Sequence, residues 1–387
     1  MGIGNLYHYI SNSLLKNSLY KTSLIKEITL KELSGKSLAI DTNAFIYKYS
    51  YGMDESNCLI QFGWLMTDFY RYKIKPIFVF DGKAIEEKKD EKEKRNKRKL
   101  DQIKTIEDIK IKLDDKHIKL NIDTKIYDEF ILKKTYPNID ENEIKELCRI
   151  KKEYDQKRKN YINITPKKIE QVKKLLQLMG AQIIDLKTGD GEGVCSILNR
   201  LGIVDYVVCE DGDVFPFGAI SLIRGIGSQQ NREQNMKYYN IKAIVKEFEL
   251  PEDEFIDFCI LCGCDYSEKI TGIGPVNAYK LIKQYHNIEN IIKFITETSD
   301  KKIKKYIIPL PFNYEKARNV FKKHLKYIEL DQELKNNFLP IFPYNHEQIV
   351  LFLCNIIPEA DDYVRLWTYF QSGILPNCNH NLMEQYR

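Results

Sequence analysis

The sequence lacks a cysteine framework. Its nine cysteines are odd in number, follow no disulfide spacing and cluster only at Cys259, Cys262 and Cys264. No paired cysteine and histidine set lies within zinc-site reach. That excludes a stapled secreted scaffold and a zinc finger, and it predicts buried, reduced thiols in an intracellular protein. Long apolar runs are missing as well: none approaches the roughly 18 residues of a membrane span. The start, Met1-Gly2-Ile3-Gly4-Asn5-Leu6, has neither the charged nor the apolar part of a signal peptide. Leu6 also stands where myristoylation needs Ser or Thr. The six histidines form no pattern with serine or cysteine, so no nucleophilic triad competes for the chemistry. Gly189-Asp190-Gly191-Glu192-Gly193 is rich in glycine but has neither the lysine of a phosphate loop nor a dinucleotide fingerprint. There are no internal repeats. The expectation is a soluble, intracellular protein with no membrane contact.

What is present is an ordinary globular composition, 43% hydrophobic over 387 residues, enough for one large α/β domain or two smaller ones. A net charge of +5 is mild, but the 60 basic and 55 acidic residues are unevenly placed. Basic residues crowd into segments, while several acids stand singly after apolar runs. Ser37-Leu38-Ala39-Ile40 leads to Asp41, and Pro76-Ile77-Phe78-Val79-Phe80 leads to Asp81. Gln182-Ile183-Ile184 leads through a loop to Asp190 and Glu192, and Tyr206-Val207-Val208-Cys209 leads to Glu210, Asp211 and Asp213. Helical patterns separate these runs, at 57–72 and 165–179, the second opened by Thr165-Pro166 as N-cap and first helical residue. Strand alternating with helix predicts a mostly parallel, twisted sheet covered on both faces. A further strand is expected at 219–223. Between the second and third runs lies an insertion, 83–161, whose first part (86–99) is nearly all charge. Taken alone, that part reads as a solvated helix or a disordered arm. Two more helices are expected at 100–120 and 122–154, and the chain from Lys242 onward has a helical pattern.

Ligands of open parallel sheets bind at the carboxyl ends of the strands. The runs deliver Asp41, Asp81, Asp190, Glu192, Asp211 and Asp213 there, and Asp265 is expected to join from the next helical segment. Singly, each acid has a plainer explanation, such as a helix cap at Asp41-Thr42-Asn43 or a turn at 190–192. Recurrence at successive strand ends is what points to a site. Close carboxylate pairs repel by about 4 kcal/mol at an effective dielectric near 20, and a divalent cation removes that penalty. All-oxygen ligation selects Mg²⁺, with Mn²⁺ able to substitute. Two ions about 3.5–4 Å apart would suit phosphodiester hydrolysis. Downstream, Gly272-Ile273-Gly274-Pro275 sits between two helical patterns. Gly-apolar-Gly lets backbone N–H groups approach a phosphate, and such contacts hold DNA without reading its sequence. Lys280 and Lys283 follow on the next helix.

Together these blocks resemble the flap endonuclease family, the structure-specific 5′ nucleases that include the XPG branch. The matching segments are Met1-Gly2-Ile3; Ala39-Ile40-Asp41 with Ile46-Tyr47; Lys75-Pro76 through Val79-Phe80-Asp81-Gly82-Lys83; Glu210-Asp211-Gly212-Asp213 with Phe217-Gly218; and Asp265-Tyr266 through Gly272-Ile273-Gly274-Pro275. The resemblance implies a PIN-like α/β nuclease core with a helical cap and a C-terminal helix–hairpin–helix region. The regions would be 1–82 (nuclease), 83–161 (basic gateway and cap), 162–250 (nuclease), 251–290 (hairpin) and 291–387 (helical C-terminal region). It implies Asp81, Glu192, Asp211 and Asp213 as direct metal ligands, with Asp41, Asp190 and Asp265 acting through water. Tyr47 would stack on a base, and Lys88 and Arg95, seven apart on one predicted helix, would reach the scissile phosphate. Gly2 would lie near the site, Arg71 would contact DNA, and K⁺ would sit at the hairpin. The implied activity is cleavage of flapped or branched DNA by a monomer, with 5′→3′ exonuclease activity, in the nucleus or, for a viral chain, where viral DNA replicates. Rivals within the superfamily are a Holliday-junction resolvase, a 5′ exonuclease and an exoribonuclease; outside it stands a nuclease-dead scaffold. The sequence departs from the family in three ways. Asp190 replaces a glutamate, Gly191 and Gly193 replace alanines and are expected to loosen the helix start, and the insertion is longer. No C-terminal sliding-clamp motif follows Gln348.

Overall fold

The computed structural model describes residues 3, 5–15, 21–51, 55–123, 126–227, 236–297, 306–326, 348, 349 and 352. Seven strands form one sheet: β1 Ile25–Ile28, β2 Ser37–Asp41, β3 Lys75–Phe80, β4 Gln182–Asp185, β5 Tyr206–Val208, β6 Ser221–Arg224 and β7 Met236–Asn240. Their order is β1-β7-β6-β5-β2-β3-β4. The block β6-β5-β2-β3-β4 is parallel, and β7 runs antiparallel to both β6 and β1. The expected strand at 219–223 starts two residues later. β1 and β7 were not foreseen, because each is a short run with charged residues and no strong alternation.

Alternate residues of each central strand enter opposite cores, as a period of two requires. Ala39, Ile77, Val79 and Val207 join the core on one face. Leu38, Ile40, Phe78 and Val208 join the other. Helices Thr42–Ser50, Glu55–Arg71 and Pro166–Leu178 cover the second face. Thr165 caps the last of these, its hydroxyl accepting from the Lys168 amide at 3.2 Å, with Pro166 at the first helical position.

The charged run and the following helix form a single 32-residue helix, Lys89–Leu120, preceded by a 3₁₀ turn at Glu86–Lys88. The helix expected at 122–154 is instead two, Glu129–Thr135 and Glu141–Asn160. The break falls where Asp140 caps the second helix through the amides of Asn142 and Glu143. Leu113, Ile122, Leu132, Ile144 and Leu147 give this insertion its own small core. Helices Glu252–Cys262 and Pro275–Tyr285 flank the glycine hairpin. Among the described residues, no helix is long and apolar enough to cross a membrane.

Candidate active site

From β2 the chain passes to β3 and then β4 on one side, and afterwards crosses back to β5 on the other. That reversal opens a crevice beyond the carboxyl ends of β2, β3 and β5, and the acids lie there. Asp41 ends β2, 6% exposed. Burial, then the neighbouring Asp81 charge, push its carboxyl up to about 7. Asp81 follows β3. Its two oxygens accept from the Gly191 amide and the Asn43 side-chain amide, each at 2.7 Å. Gly82 must be glycine, because a Cβ there would meet the Thr188 nitrogen at 2.3 Å. This close approach sets the end of β3 beside the loop that carries Asp190.

Asp190 stands just ahead of helix Gly191–Arg200 without its side chain capping it, which places Glu192 in the first turn. Gly191, one of the two glycines expected to loosen this helix start, packs directly against the site. It is buried and donates to Asp81, and a Cβ added there would lie only 3.1 Å from the Asp81 carboxylate. Asp211 and Asp213 stand in the turn after β5. Oxygens of Glu192, Asp211 and Asp213 lie within 4.8 Å of one another. Both Asp213 oxygens and Glu192 Oε2 are buried with no hydrogen-bond partner in the protein. Burial, then like charge from Asp211, hold both carboxyls well above the ordinary range. Buried polar atoms are rarely left unsatisfied, so this triad fits a group the chain itself does not supply. Three converging carboxylates are the donor set of a hard divalent cation.

Asp190 is different, since its oxygens are already taken. One lies 2.9 Å from Lys88 Nζ, and the other accepts from the Tyr266 hydroxyl at 2.7 Å. Lys88 also lies 3.8 Å from Glu192 Oε1 and over the Tyr266 ring. Burial alone would lower its pKa, but Glu192, Asp190 and Asp213 outweigh that and keep it protonated. Arg95 pairs with Asp265 and, at 3.1 Å, with Glu91. The expectation that Lys88 and Arg95 share one helical face is corrected. Lys88 belongs to the 3₁₀ turn and Arg95 to the helix, and each converges on the acids from its own element. Asp265 comes from a turn after helix Glu252–Cys262 rather than from a helix.

Tyr47 stands 56% exposed on the helix that follows Asp41. Arg71 lies elsewhere. It ends the helix leading into β3, next to Tyr72, whose carbonyl accepts from Gly35 ahead of β2. It therefore sits at the amino end of the parallel block, a strand length from the carboxylates, and pairs with Asp68. Gly2 lies outside the described residues. Gly272 has φ 85 and requires glycine, and Ile273 is buried as the hairpin's anchor. Lys280 is exposed, whereas Lys283 is engaged by the Glu249 carbonyl and carboxylate.

Several supporting groups were missed from the sequence. Asn43, two residues after Asp41, was readable only as part of a cap. Tyr266 was visible as a motif residue but not as the partner of Asp190. Tyr7, whose hydroxyl donates to the Asp211 carbonyl at 2.6 Å, carried no signal. The Cys209 thiol donates to Asp41 at 3.5 Å, a contact hidden inside an apolar run.

Comparison with known proteins agrees with this geometry. The XPG N-terminal domain family matches residues 1–102, and the XPG I-region family matches 187–265. Flap endonuclease 1 of Caenorhabditis briggsae is 28% identical over 345 residues, 86% of this chain and 77% of that protein. Flap endonuclease 1 of Entamoeba histolytica is 30% identical over 300 residues, 74% of this chain and 68% of that protein. Among solved structures, the catalytic core of Rad2 in complex with DNA substrate superposes with a TM-score of 0.55 at 16% identity, covering 96% of this chain and 99% of the other. The Holliday junction-resolving enzyme GEN1, in complex with product DNA and Mg²⁺, gives 0.56 at 16% identity, covering 92% and 77%. Those two share the fold, while the identity and coverage of the curated relatives say more: this chain belongs to the flap endonuclease and XPG family.

Proposed function

We propose that this protein is a Mg²⁺-dependent, structure-specific 5′ flap endonuclease with 5′→3′ exonuclease activity, hydrolysing DNA phosphodiesters near single-strand/double-strand junctions. The observation that carries this reading is the cluster Glu192, Asp211 and Asp213 at the strand-order reversal, in which Glu192 and Asp213 are buried and carry orphaned oxygens. A nuclease-dead scaffold would gain nothing from keeping like charges buried without partners. Glu192, Asp211 and Asp213 would hold the metal, with Asp81 and Asp41 at its border. The metal would supply an activated water nucleophile and stabilise the leaving oxygen. The chain's own residues do the rest. Asn43 and the Gly191 amide hold Asp81 in orientation. Tyr266 holds Asp190 against Lys88, and Lys88 and Arg95 bring fixed positive charge to the edge of the crevice, where a phosphate would enter. Tyr47 offers an exposed ring on which an unpaired base can stack.

The test is cleavage of labelled 5′-flap, four-way-junction, blunt duplex and single-stranded substrates, with and without Mg²⁺. The expected result is incision at the flap junction, dependent on Mg²⁺ and abolished by EDTA. Preferred cleavage of the four-way junction would favour the resolvase reading instead.

The hairpin offers a separate prediction. Gly274 is extended, with φ −118 and ψ −179, and a Cβ there would meet nothing within 4 Å. The fold therefore does not require glycine at this position, and Gly274→Val should melt like the wild type. If the hairpin backbone holds duplex phosphate, the valine should block that approach. Losing one hydrogen bond to a charged group is worth about 1.5–3 kcal/mol, or roughly 10- to 100-fold in Kd. Fluorescence anisotropy should show that loss equally for flapped and plain duplex, with a shallower salt dependence. Unchanged duplex binding would remove the hairpin from the DNA path.

A further inference from the structure

The turn after β5 carries two of the three clustered carboxylates, Asp211 and Asp213, with Gly212 between them. Glu210 stands next to them in sequence but is tied to the end of β6. Its carboxylate accepts from the Gly225 amide at 2.9 Å and pairs with Arg224 and Lys48. Asp211 is held differently. The Tyr7 hydroxyl, on the N-terminal helix Leu6–Tyr9, donates to the Asp211 carbonyl at 2.6 Å. That carbonyl and the Gly212 N–H belong to one planar peptide and point in opposite directions. The Gly212 N–H in turn donates to the Asp211 carboxylate, as does the Asp213 N–H at 3.4 Å. Fixing the peptide by its carbonyl therefore fixes a donor that sets the carboxylate's rotation. Tyr7 is itself clamped. Its ring lies edge-on to Phe215 and Tyr239, with centroids 5.6 and 5.3 Å away. The Arg224 guanidinium lies over the ring, 3.7 Å from its centroid, as a cation on an aromatic face does. Arg224 also donates to the Glu210 carbonyl at 3.0 Å, so the stacked pair grips two successive peptides of the turn.

We propose that Tyr7 is a positioning residue: through the Asp211–Gly212 peptide it holds the Asp211 carboxylate at the angle that binds metal together with Glu192 and Asp213. The proposal rests on the metal-dependent reading of this cluster. Gly212 makes the turn depend on an outside hold, because glycine restricts its own backbone less than any other residue. The same N-terminal segment packs on that glycine, where an added Cβ would lie 3.3 Å from the Ile3 side chain. It therefore meets the turn at two successive residues. Groups behind a metal's ligands limit how those ligands rotate, and losing one costs about 10–100-fold in metal affinity or activity. Tyr7 reaches its ligand through the backbone, so its loss should weaken metal binding and leave DNA binding alone.

The experiment compares the full chain with Tyr7→Phe, which keeps the ring under Arg224 and removes only the donor. Tyr9→Phe is the control, since Tyr9 lies on the same helix but is buried against Phe248 and Phe258. Calorimetric titration with Mn²⁺, without DNA, should give a Kd about 10-fold weaker for Tyr7→Phe than for the wild type and the control. The Mg²⁺ midpoint of single-turnover 5′-flap cleavage should rise by a similar factor. The rate should recover at saturating Mg²⁺, and flap affinity should stay unchanged. A hydroxyl that only braced the fold would lower the melting temperature and leave the Mn²⁺ Kd and the Mg²⁺ midpoint in place. That result would overturn the proposal. So would an equal loss of Mn²⁺ affinity in Tyr9→Phe, which would mark a general loosening of the N-terminal helix. If the wild type cleaves no flap yet the difference in Kd persists, the flap reading fails and the role of Tyr7 stands. A wild type that binds no Mn²⁺ overturns both.

Discussion

Asp213→Asn is expected to abolish cleavage and, at the same time, to stabilise the metal-free protein. Asp213 is fully buried and neither of its oxygens has a partner in the chain. Metal-assisted charge stabilisation supplies several kcal/mol in the transition state, and at 1.36 kcal/mol per tenfold its loss slows single-turnover cleavage by about 10³-fold or more. DNA affinity should stay within a few-fold, because the hairpin and cap are untouched. The stability effect follows from linkage. A carboxyl whose pKa is raised on folding supports the fold while protonated, and that support is lost as pH climbs from its unfolded value through its folded one. For Asp41 the window runs from 3.8 to about 7, and Asp213 is raised as well, by burial and then by Asp211. Metal-free wild type should therefore lose thermal stability as pH rises across this window. Asp213→Asn should flatten that slope, because it removes one like charge and gives the Glu192 and Asp211 oxygens a donor. Mg²⁺ at about 100 times its Kd should add roughly 2.7 kcal/mol to the wild type and much less to the variant. Calorimetry from pH 5 to pH 8, with and without Mg²⁺, reads all of this. A variant that cleaves normally would place the catalytic centre elsewhere.

Lys88→Ala should be nearly as damaging to rate while leaving affinity little changed. Lys88 is half-buried and held among Asp190, Glu192 and Tyr266, so its charge is preorganised rather than diffuse. Removing one such group aimed at developing negative charge lowers the rate by about 10²–10³-fold. Arg95→Ala should have a smaller effect, since Arg95 is 43% exposed and shared between Glu91 and Asp265, where water screens it more. Lys92→Ala and Lys94→Ala, exposed positions on the same helix, should cleave near the wild-type rate. Single-turnover cleavage of a 5′-flap substrate at saturating enzyme separates these outcomes. A different result would follow if Lys88 only balanced the acids in the absence of metal. Saturating Mg²⁺ would then restore the rate of Lys88→Ala, and its catalytic role would be wrong.

The acids at the ends of β2, β3 and β5 were legible in the sequence because a buried parallel strand must be a short apolar run, and its end is marked by the first charge. The cap at Thr165-Pro166 and the hairpin at 272–275 were legible for a related reason: capping and left-handed turns are set by residues within a few positions of one another. Lys88 was found by resemblance, but its setting was not. Its place in a 3₁₀ turn rather than in the long helix depends on how Asp190 and Tyr266 pack against it. Arg71, expected to contact DNA, ends the crossover helix between the parallel strands β2 and β3, which returns the chain to the amino end of the block.

The sequence by itself determined the alternation of strands and helices, the supply of carboxylates and the basic insertion, since periodicity, capping and composition are local properties. Only the tertiary structure decided which carboxylates meet. Glu192, Asp211 and Asp213 converge because the chain reverses its strand order between β4 and β5, whereas Asp190, beside Glu192 in sequence, is turned to Lys88 and Tyr266. The edge strands β1 and β7, too weakly patterned to read, exist because each pairs with a neighbour far away in the chain. The reason is common to both: strand order and side-chain pairing are set by the packing free energy of the whole core, and no window of neighbouring residues contains that quantity.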